Sequence, residues 1–471
     1  MASLFLSAAH KSSGKTTLSI GLCAALNNRG LAVQPFKKGP DYIDPIWLGM
    51  AAGKPCYNLD FYVAGKQETI DDYCHRSRNA DICLIEGNKG LYDGLDLDGG
   101  NSNAALAKSL QSPVILVIDV RGTMRGIAPL LIGYQVFDQA VNIAGVIANM
   151  TGGKRHESKL RAAVEEYTDI PFLGALEKTA ALGLSERHLG LIPGYEDPAS
   201  KQKIDTIAAA VSDNLDLQQL LQISQQAGQI EAASLPLQRN AEFNGLRIGI
   251  ARDRAFGFYY PGDLEAFDQN GAQLISIDTQ SDKTLPALDG LFIGGGFPER
   301  HAAELAANDS LRASIKAAIE AGLPTYAECG GLMYLSRSLS WNGENHAMVG
   351  ALPANSRMHQ RPQGRGYVQL AGIDDQHPWM PAAHMAKTLH AHEFHYSSLD
   401  GLPKDSRFAY EVLRGTGISQ QQDGLVYRNL LASYSHQRNT LANPWVKRFL
   451  GFVKSCKYSS TSVVANAQAN R

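Results

Sequence analysis

An eight-residue segment near the start of the chain limits the possible folds more than any other feature. The segment AHKSSGKT (9–16) follows an apolar run and precedes the helix-compatible stretch TLSIGLCAAL. It matches the phosphate-loop pattern GxxxxGK[ST] except that Ala9 replaces the first glycine. Such a loop curls its backbone amides around phosphate oxygens at a helix N-terminus, as strand–loop–helix units of parallel sheets do. The segment therefore predicts an α/β fold with a nucleotide site.

Three residues of this loop carry the chemistry. Gly14 provides the turn, the Lys15 ammonium suits the outer phosphates, and the Thr16 hydroxyl suits Mg²⁺. A serine/glycine turn that caps a helix is the alternative, and it does not explain the position between a strand and a helix. The predicted ATP contacts in the loop are Ser12, Ser13, Gly14, Lys15, Thr16 and Thr17.

Short apolar runs rich in β-branched residues recur along both halves of the chain. They lie at residues 4–8, 31–36, 81–87, 113–120, 143–149, 246–251, 272–278, 290–296 and 324–330. Helix-compatible segments separate them, so the pattern predicts βαβ units and mainly parallel, covered sheets. The expected fold class is α/β, with two doubly wound domains.

A Gln/Ala/Ser-rich stretch between the two halves predicts a last helix followed by a polar connection. The first domain is expected to span 1–225, the linker 226–243 and the second domain 244–455. The remaining segment, 456–471, has no useful periodicity and is predicted to be disordered.

The composition excludes several classes of protein. The formal net charge is −2 and no long Lys/Arg run is present, which argues against a nucleic-acid partner. No stretch approaches the roughly 20 apolar residues that span a bilayer, and the opening MASLFLSAAH lacks a basic leader. The six cysteines are scattered without a CxxC pair, a usage that fits reduced thiols in the cytoplasm.

Acidic residues follow two of the predicted strands and can serve a metal ion. Asp41 and Asp44 lie in KKGPDYIDP, and Glu86 and Asp93 lie in LIEGNKGLYDG. Because the loops at the carboxyl ends of parallel strands face one crevice, these acids can converge on Lys15. Turn and cap chemistry explains any single acid equally well. Together with the phosphate loop, the set predicts a Mg-ATP site.

A second constellation surrounds Cys329. The segment TYAECGG puts this cysteine after an apolar strand, beside two glycines and before a helix-compatible segment, an order that resembles a nucleophile elbow. Gly295 and Gly296, at the end of another strand, can present amides to a tetrahedral oxyanion. His436, which follows a late strand, is the candidate base. A buried cysteine beside a tight turn is the alternative reading.

The histidine-rich segment HAHEFH (390–395) has the residue types of a metal site. Its spacing is not HExxH, and no cysteine accompanies it. We therefore expect hydrogen-bonded histidines on a strand or loop rather than a zinc site.

These motifs together resemble the cobyrinic acid a,c-diamide synthases and their hydrogenobyrinic acid counterparts. The resemblance covers nearly the whole chain, and its most specific pieces are SSGKTT, KKGPDYIDP, EGNKGLYDG, RGIAPLLIGY, ARDRAFGFYYPGDLEAF, GGGFPE, AECGGLMYL and HEFHYS. It implies a P-loop dethiobiotin-synthetase-like domain joined to a class I glutamine amidotransferase domain. It also implies that Mg-ATP phosphorylates a tetrapyrrole carboxylate, and that ammonia from glutamine then displaces phosphate.

The resemblance assigns roles in the second domain. It makes Cys329 the nucleophile and His436 the histidine that activates it. Class I glutaminases carry His-x-Glu, whereas this chain has His436-Gln437-Arg438. The resemblance therefore implies a Cys-His dyad, and it leaves open what orients the imidazole.

In the first domain the resemblance assigns roles to loop residues. It implies Thr16, Asp41 and Glu86 as Mg²⁺ ligands, and Tyr42 and Asp93 as residues that handle the substrate carboxylates.

Two further positions in this domain carry expectations. The resemblance implies that Asn149, at the end of IAGVIAN, reads the adenine, although an ordinary polar strand end explains it as well. The Cβ of Ala9 is tolerated in the phosphate loop if its φ stays below zero.

Two alternatives remain at this stage. The same amidation could act on a sirohydrochlorin or sirohaem carboxylate, and a basic pocket with Lys37, Lys38 and Lys89 would suit either macrocycle. A solvated basic loop explains these lysines equally well. A non-catalytic ATP-binding regulatory protein is the second alternative, against which the intact Cys329 speaks. The expected partners are ATP, L-glutamine and a tetrapyrrole polycarboxylate, with the oligomeric state left open and a homodimer included.

Overall fold

The computed structural model describes residues 1–184, 186–187, 190–230, 240–373, 376–380 and 387–469. The chain divides into two compact units, Met1–Leu235 and Pro236–Arg471. Half of the predicted linker, residues 231–239, lies outside the described residues. The predicted domain boundaries therefore stay predictions, although the two-unit organisation agrees with them.

A seven-stranded parallel sheet forms the centre of the first unit. Its strands are β1 (Ser3–Ala8), β2 (Val33–Lys38), β3 (Tyr57–Leu59), β4 (Ile82–Glu86), β5 (Val114–Asp119), β6 (Ile143–Thr151) and β7 (Phe172–Glu177). They are ordered β3-β2-β4-β1-β5-β6-β7, and each neighbouring pair is parallel. Strands β1, β2 and β4 are buried at every residue, as expected where helices cover both faces.

Helices alternate with these strands. They are α1 (Lys15–Asn28), α2 (Ile43–Ala52), α3 (Lys66–Arg76), α4 (Asn103–Ser109), α5 (Ile127–Phe137), α6 (Lys154–Tyr167), α7 (Ser200–Asn214) and α8 (Leu217–Ser224). A 3₁₀ turn (Ala180–Leu182) and a hairpin of β8 (Glu186–Arg187) and β9 (Gly190–Leu191) precede α7. Alternate residues of β1 enter two different apolar clusters, since successive side chains of a strand point to opposite faces.

The second unit contains a larger, mixed sheet. Its strands in chain order are β10 (Arg247–Ala251), β11 (Phe256–Phe258), β12 (Gln273–Ile277), β13 (Gly290–Ile293), β14 (Gly295–Gly296), β15 (Thr325–Glu328), β16 (Ser338–Trp341), β17 (Glu344–Ala347), β18 (Asn355–Met358), β19 (Gly364–Gly372), β20 (Leu389–His395), β21 (Ser397–Asp400), β22 (Arg407–Arg414), β23 (Gln422–Tyr427) and β24 (Leu430–Ser433). Nine of them form one sheet in the order β12-β10-β13-β15-β24-β23-β22-β19-β20. The half from β12 to β24 is parallel, and the half from β24 to β20 is antiparallel.

Smaller elements complete this unit. A second sheet has the order β17-β16-β18-β21, and β11 pairs with β14. The helices are α9 (Pro261–Gln269), α10 (Ala302–Ala307), α11 (Asp309–Glu320), α12 (Gly330–Leu335) and α13 (Trp445–Ala469), with 3₁₀ turns at Ala241–Phe243 and Pro298–His301. Trp445 begins α13 inside an aromatic cluster with Phe292 and Tyr326, which anchors the helix.

The strands and the tail predicted from the sequence can be compared with the elements of the structure. The nine predicted strands correspond to β1, β2, β4, β5, β6, β10, β12, β13 and β15. The backbone of α13 continues as helix to Ala469, and the disorder predicted for 456–471 stays a prediction. The anchored first turns of α13 supply a nucleus onto which these small and polar residues add helical turns.

Candidate active sites

The phosphate loop lies between β1 and α1 with the backbone geometry that an anion cradle needs. Gly14 has φ 82° and Ser12 has φ 65°, both left-handed, whereas Ala9 keeps a φ outside that region. The expectation for Ala9 is therefore confirmed. Ser13 is buried, and its Oγ donates to the His10 carbonyl at 2.8 Å. Thr17 lies in the first turn of α1.

Asn149, at the carboxyl end of β6, supports this loop directly. Its Nδ2 donates to the Ser13 carbonyl oxygen at 2.8 Å. A Cβ on Gly14 would lie 2.1 Å from the same Nδ2, so only glycine allows the amide to approach. The side chain thus fixes the loop, a role that the sequence did not indicate.

Acidic residues meet the phosphate loop at Thr16, as the sequence predicted for this edge of the sheet. The Thr16 hydroxyl donates to Glu86 Oε1 at 2.8 Å and lies 3.2 Å from Asp44 Oδ2. Lys37, at the end of β2, places its Nζ 2.5 Å from Asp44 Oδ2 and 2.6 Å from Glu86 Oε1. Asp41 stands further off, with Oδ2 3.9 Å from that Nζ.

Two of the predicted metal ligands therefore have different surroundings. Glu86 touches Thr16, whereas Asp41 Oδ1 accepts hydrogen bonds from the Ile43 and Asp44 amides and caps the start of α2. The metal role predicted for Asp41 stays a prediction, although Asp44 lies beside Thr16 while the Asp41 carboxylate faces its own backbone. The reason is helical geometry, since a cap residue turns its carboxylate back towards its own backbone.

Charge and burial shift the titration of this cluster. Burial lowers the pKa of Lys15 to about 8, against the attraction of Glu86. Burial alone would also lower the pKa of Lys37, but Asp44 and Glu86 raise it well above its usual range. Burial raises the pKa of Glu86, while Lys37 opposes that rise. Lys37 is therefore charged and compensates two carboxylates, the buried Glu86 and the partly buried Asp44.

The other predicted residues of this unit lie around the same edge. Tyr42 is the residue before α2. Asp93 Oδ2 accepts the Gly90 amide at 2.9 Å, which shapes the loop next to the Ala9 carbonyl. Lys37 and Lys38 are buried whereas Lys89 is exposed, so the three lysines do not share one solvated basic loop.

The backbone at Cys329 forms a strained elbow between β15 and α12. Cys329 has φ 47° and ψ −98°, and its amide donates to the Ser433 carbonyl at 2.7 Å. The next two residues, Gly330 and Gly331, have no room for a Cβ atom. A Cβ on Gly330 would lie 3.0 Å from the Gly296 amide nitrogen, and one on Gly331 would lie 2.3 Å from the Ile293 carbonyl oxygen. Strain of this kind persists where surrounding contacts hold it, and it is common at active sites.

Gly295 and Gly296 lie beside this elbow, as their predicted oxyanion role requires. They form β14, which pairs with β11. A Cβ on Gly295 would come within 2.7 Å of His436 Cε1, so the strand passes close to the imidazole. The backbone of β14 therefore lies next to Gly330, the residue after Cys329, and next to His436.

His436 is held next to the nucleophile by a neighbouring histidine. Its amide donates to the His392 carbonyl at 2.8 Å, and the His392 amide donates back at 3.3 Å. The two imidazole rings stack at 4.9 Å. Burial alone would lower the pKa of His436, but hydrogen bonds to Cys329 and Glu328 raise it to about 10. The structure thus brings Cys329 and His436 together, and their catalytic roles stay predictions.

Glu328 is a residue of this site that the sequence analysis missed. Its Oε2 lies 3.3 Å from His436 Nδ1, and it is 3% exposed. Its position directly before Cys329 did not indicate a contact with His436, because a strand residue next to a nucleophile can have many roles. The burial of Lys37 was not indicated by its sequence context either, because the carboxylates that surround it come from other segments.

The histidine-rich strand β20 has structural surroundings. His392 stacks on His436, while His395 stacks on Tyr434 at 3.8 Å. The Glu393 carboxylate accepts the Thr416 and Gly417 amides. No group of three or more His, Cys, Asp or Glu side chains among the described residues is arranged to hold a metal ion. The expectation of hydrogen-bonded histidines on this strand agrees with His395, whose Nδ1 donates to the Ser397 carbonyl oxygen at 2.8 Å.

Comparison with known proteins gives matches on both units. Residues 7–191 match the CobQ/CobB/MinD/ParA nucleotide binding domain, and residues 247–441 match the CobB/CobQ-like glutamine amidotransferase domain. None of the described helices combines the length and apolar character needed to cross a bilayer.

Curated relatives match over most of their length. The cobyrinate a,c-diamide synthase of Magnetococcus marinus is 43% identical over 447 residues, covering 94% of this chain and 95% of the relative. That of Methanosarcina acetivorans is 40% identical over 459 residues, covering 92% and 91%. Among solved structures, PurLQS from Thermotoga maritima is 14% identical with a TM-score of 0.34, covering 44% of this chain and 96% of that chain.

Proposed function

This chain belongs to the cobyrinate a,c-diamide synthase family, and we propose that it amidates the a and c carboxylates of cobyrinic or hydrogenobyrinic acid. It is an ATP-dependent carbon–nitrogen ligase with glutamine as the amido donor. The observation that carries the substrate proposal is 43% identity over 94% of the chain to a cobyrinate a,c-diamide synthase.

In the first unit we propose acyl-phosphate chemistry. A substrate carboxylate oxygen attacks the γ-phosphorus of ATP, and ADP leaves as the acyl phosphate forms. Lys15 and the loop amides of residues 12–17 neutralise the phosphate charge, and positioning and charge supply most of the catalysis in such transfers. Tyr42 and Asp93 are proposed to handle the substrate carboxylate, and Asn149 to contact the adenine in addition to holding the loop.

Mg²⁺ is proposed as the metal of this unit. The Glu86 Oε2 atom is buried and has no hydrogen-bond partner within the described part of the chain. Hard oxygen donors of Thr16 and Glu86, with Asp44 or Asp41 beside them, fit a cation that also takes phosphate oxygens and waters. When bound, Mg²⁺ would neutralise charge on the phosphates. Lys37 Nζ contacts both the Asp44 and the Glu86 carboxylate and so holds them next to Thr16.

In the second unit we propose a thioester mechanism. The Cys329 thiolate attacks the glutamine carboxamide carbon, and His436 gives a proton to the leaving nitrogen, so that ammonia departs. The Gly295 and Gly296 amides stabilise the tetrahedral oxyanion. Water then hydrolyses the thioester to glutamate. Ammonia attacks the acyl phosphate, releasing phosphate and forming the amide.

The decisive experiment is mass spectrometry of reactions that contain ATP, Mg²⁺, glutamine and either cobyrinic acid or sirohydrochlorin. Each amidation replaces OH by NH₂ on the macrocycle. Two replacements on cobyrinic acid are expected. Modification of sirohydrochlorin alone would contradict the substrate proposal while keeping the reaction type.

We also propose that the enzyme is a homodimer of the reducing cytosol. All six cysteines are free thiols, which suits that compartment. Ile132, Val136 and Phe137 on α5 are 41%, 66% and 74% exposed, and their helical spacing gives an apolar stripe suited to self-association. Light scattering should give twice the mass of one chain, and a monomer mass would contradict the dimer.

A further inference from the structure

Glu328 is placed and held as a partner of the candidate base. It is the last residue of β15, and it is 3% exposed. Its Oε1 accepts the Tyr326 hydroxyl at 2.7 Å and the Gln437 amide at 2.9 Å. Its Oε2 lies 3.3 Å from His436 Nδ1. One oxygen is therefore anchored by two donors, and the other is left for the imidazole.

We propose that Glu328 is the positioning residue that orients His436, in place of the glutamate that follows the histidine in other class I glutaminases. The inference rests on the proposed function, because it presupposes that Cys329 and His436 hydrolyse glutamine. It answers the question that the sequence left open, namely what fixes the imidazole when Arg438 stands at the usual glutamate position.

The chemistry follows from the two ring nitrogens. A carboxylate at Nδ1 accepts the Nδ1 proton and fixes that tautomer, which leaves Nε2 as the acceptor for the thiol proton. When the Cys329 proton moves to Nε2, the ring becomes an imidazolium, and the carboxylate at Nδ1 stabilises its charge. Glu328 itself gains no proton in this step.

Strand geometry explains why this residue reaches the histidine. Tyr326 and Glu328 are two apart on β15, so their side chains leave the same face and the hydroxyl meets the carboxylate. Strand β24 lies parallel next to β15, with Ser433 opposite Glu328. The chain after β24 therefore passes the end of β15, and His436 and Gln437 come to lie next to the Glu328 carboxylate.

A second layer of contacts keeps Gln437 in place. Its Nε2 donates to the Tyr410 hydroxyl at 2.8 Å, and its Oε1 accepts Asn443 Nδ2 at 3.0 Å. These two hydrogen bonds hold the Gln437 side chain, and they help to keep its backbone N–H directed at Glu328. Supporting partners of this kind are what hold a functional group within a few tenths of an ångström.

The other titratable groups near His436 do not replace Glu328. Cys329 is the proton donor of the reaction, and His392 stacks on the ring at 4.9 Å. Burial, followed by the charge of His436, lowers the pKa of His392 well below its usual range, so it stays neutral. The Tyr260 hydroxyl faces His392 at 3.3 Å, and the Arg438 guanidinium lies 5.7 Å from the Tyr260 ring centroid. Glu328 is the carboxylate that meets the imidazole.

The test is the pH dependence of glutamine hydrolysis in Glu328→Gln and Glu328→Asp. We expect Glu328→Gln to lower kcat for glutamine by roughly 10²–10⁴-fold, with little change in KM, because an imidazole that is not oriented loses its acid–base contribution. The alkaline limb of kcat/KM should also move to lower pH, because the imidazolium loses its partner. Glu328→Asp keeps the charge and should recover part of both effects.

Glu344→Gln is the matched control, because it makes the same change in an exposed Glu–His pair with Glu344 Oε2 3.0 Å from His346 Nε2. It should leave kcat and the pH limb unchanged. If Glu328→Gln lowers kcat without moving the limb, its role is structural and the inference is overturned, as it is if kcat is unchanged. If Glu328→Gln does not fold, Glu328→Asp decides on the same two readouts. A wild-type protein that hydrolyses no glutamine would instead overturn the proposed function.

Discussion

Replacing Lys37 by methionine keeps the length of a buried side chain and removes its charge. The Lys37 side chain is 4% exposed, and its Nζ contacts Asp44 and Glu86 at 2.5 and 2.6 Å. The variant therefore leaves two carboxylates without their cation, one of them fully buried. Removing one partner of a buried ion pair costs about 3–5 kcal/mol, because the remaining charge is uncompensated.

Lys38 provides the matched control, since it is the next residue of β2 and is also buried. Its Nζ donates to the Asn101 carbonyl oxygen at 2.9 Å and to Asn101 Oδ1 at 3.1 Å, both neutral acceptors, and Asp60 attracts its charge less than burial disfavours it. Lys38→Met should cost about 1–3 kcal/mol, the usual penalty for unmade hydrogen bonds. The two variants should therefore differ by about 2 kcal/mol, which corresponds to roughly 30-fold in an opening equilibrium.

Hydrogen exchange followed by mass spectrometry measures this difference within the first unit. The amides of β2 and β4 should exchange fastest in Lys37→Met, then in Lys38→Met, then in the wild type. The method resolves one unit at a time, which a single unfolding curve of a two-unit chain does not.

The pH dependence gives a second check with a defined sign. Burial already raises the pKa of Glu86, and Lys37 opposes that rise, so its removal raises the folded-state pKa further. A carboxyl whose pKa is raised on folding stabilises the fold below its unfolded pKa and loses this contribution as the pH rises through the folded pKa. The loss of stability in Lys37→Met should therefore shrink as the pH falls through the raised folded-state pKa of Glu86. A deficit no larger than that of Lys38→Met, or independent of pH, would refute the reasoning.

Three further outcomes follow from the sites. Lys15→Ala should abolish amidation with glutamine and with ammonia, and unchanged turnover with saturating ammonia would contradict its role. Cys329→Ser should abolish amidation with glutamine and retain it with ammonium salts; full glutamine-supported activity would remove the glutaminase assignment. Gly331→Ala places a Cβ 2.3 Å from the Ile293 carbonyl oxygen and should lower the free energy of unfolding by about 1–3 kcal/mol, whereas Gly451→Ala meets nothing within 4 Å and should not, as melting temperatures would test.

The phosphate loop and the cysteine elbow could be predicted from the sequence because both are local. Each depends on the order of a few consecutive residues, with a strand before and a helix after, and on glycines where a Cβ has no space. The buried parallel strands were predictable for a related reason, since their continuous apolar runs need no partner to be recognised. The fold class and the two candidate sites could therefore be predicted from the sequence alone.

Only the tertiary structure decided which polar groups meet. Glu328 and His436 are 108 residues apart, and Lys37 reaches Glu86 across 49 residues, so neither contact leaves a local pattern. The antiparallel half of the large sheet was missed as well, because its pairing is set by partners along the sheet rather than by its own residues. The local sequence determines the backbone of the phosphate loop and of the Cys329 elbow. The charged groups that shift the pKa values of the residues in these sites lie on neighbouring strands, and only the tertiary structure brings them close.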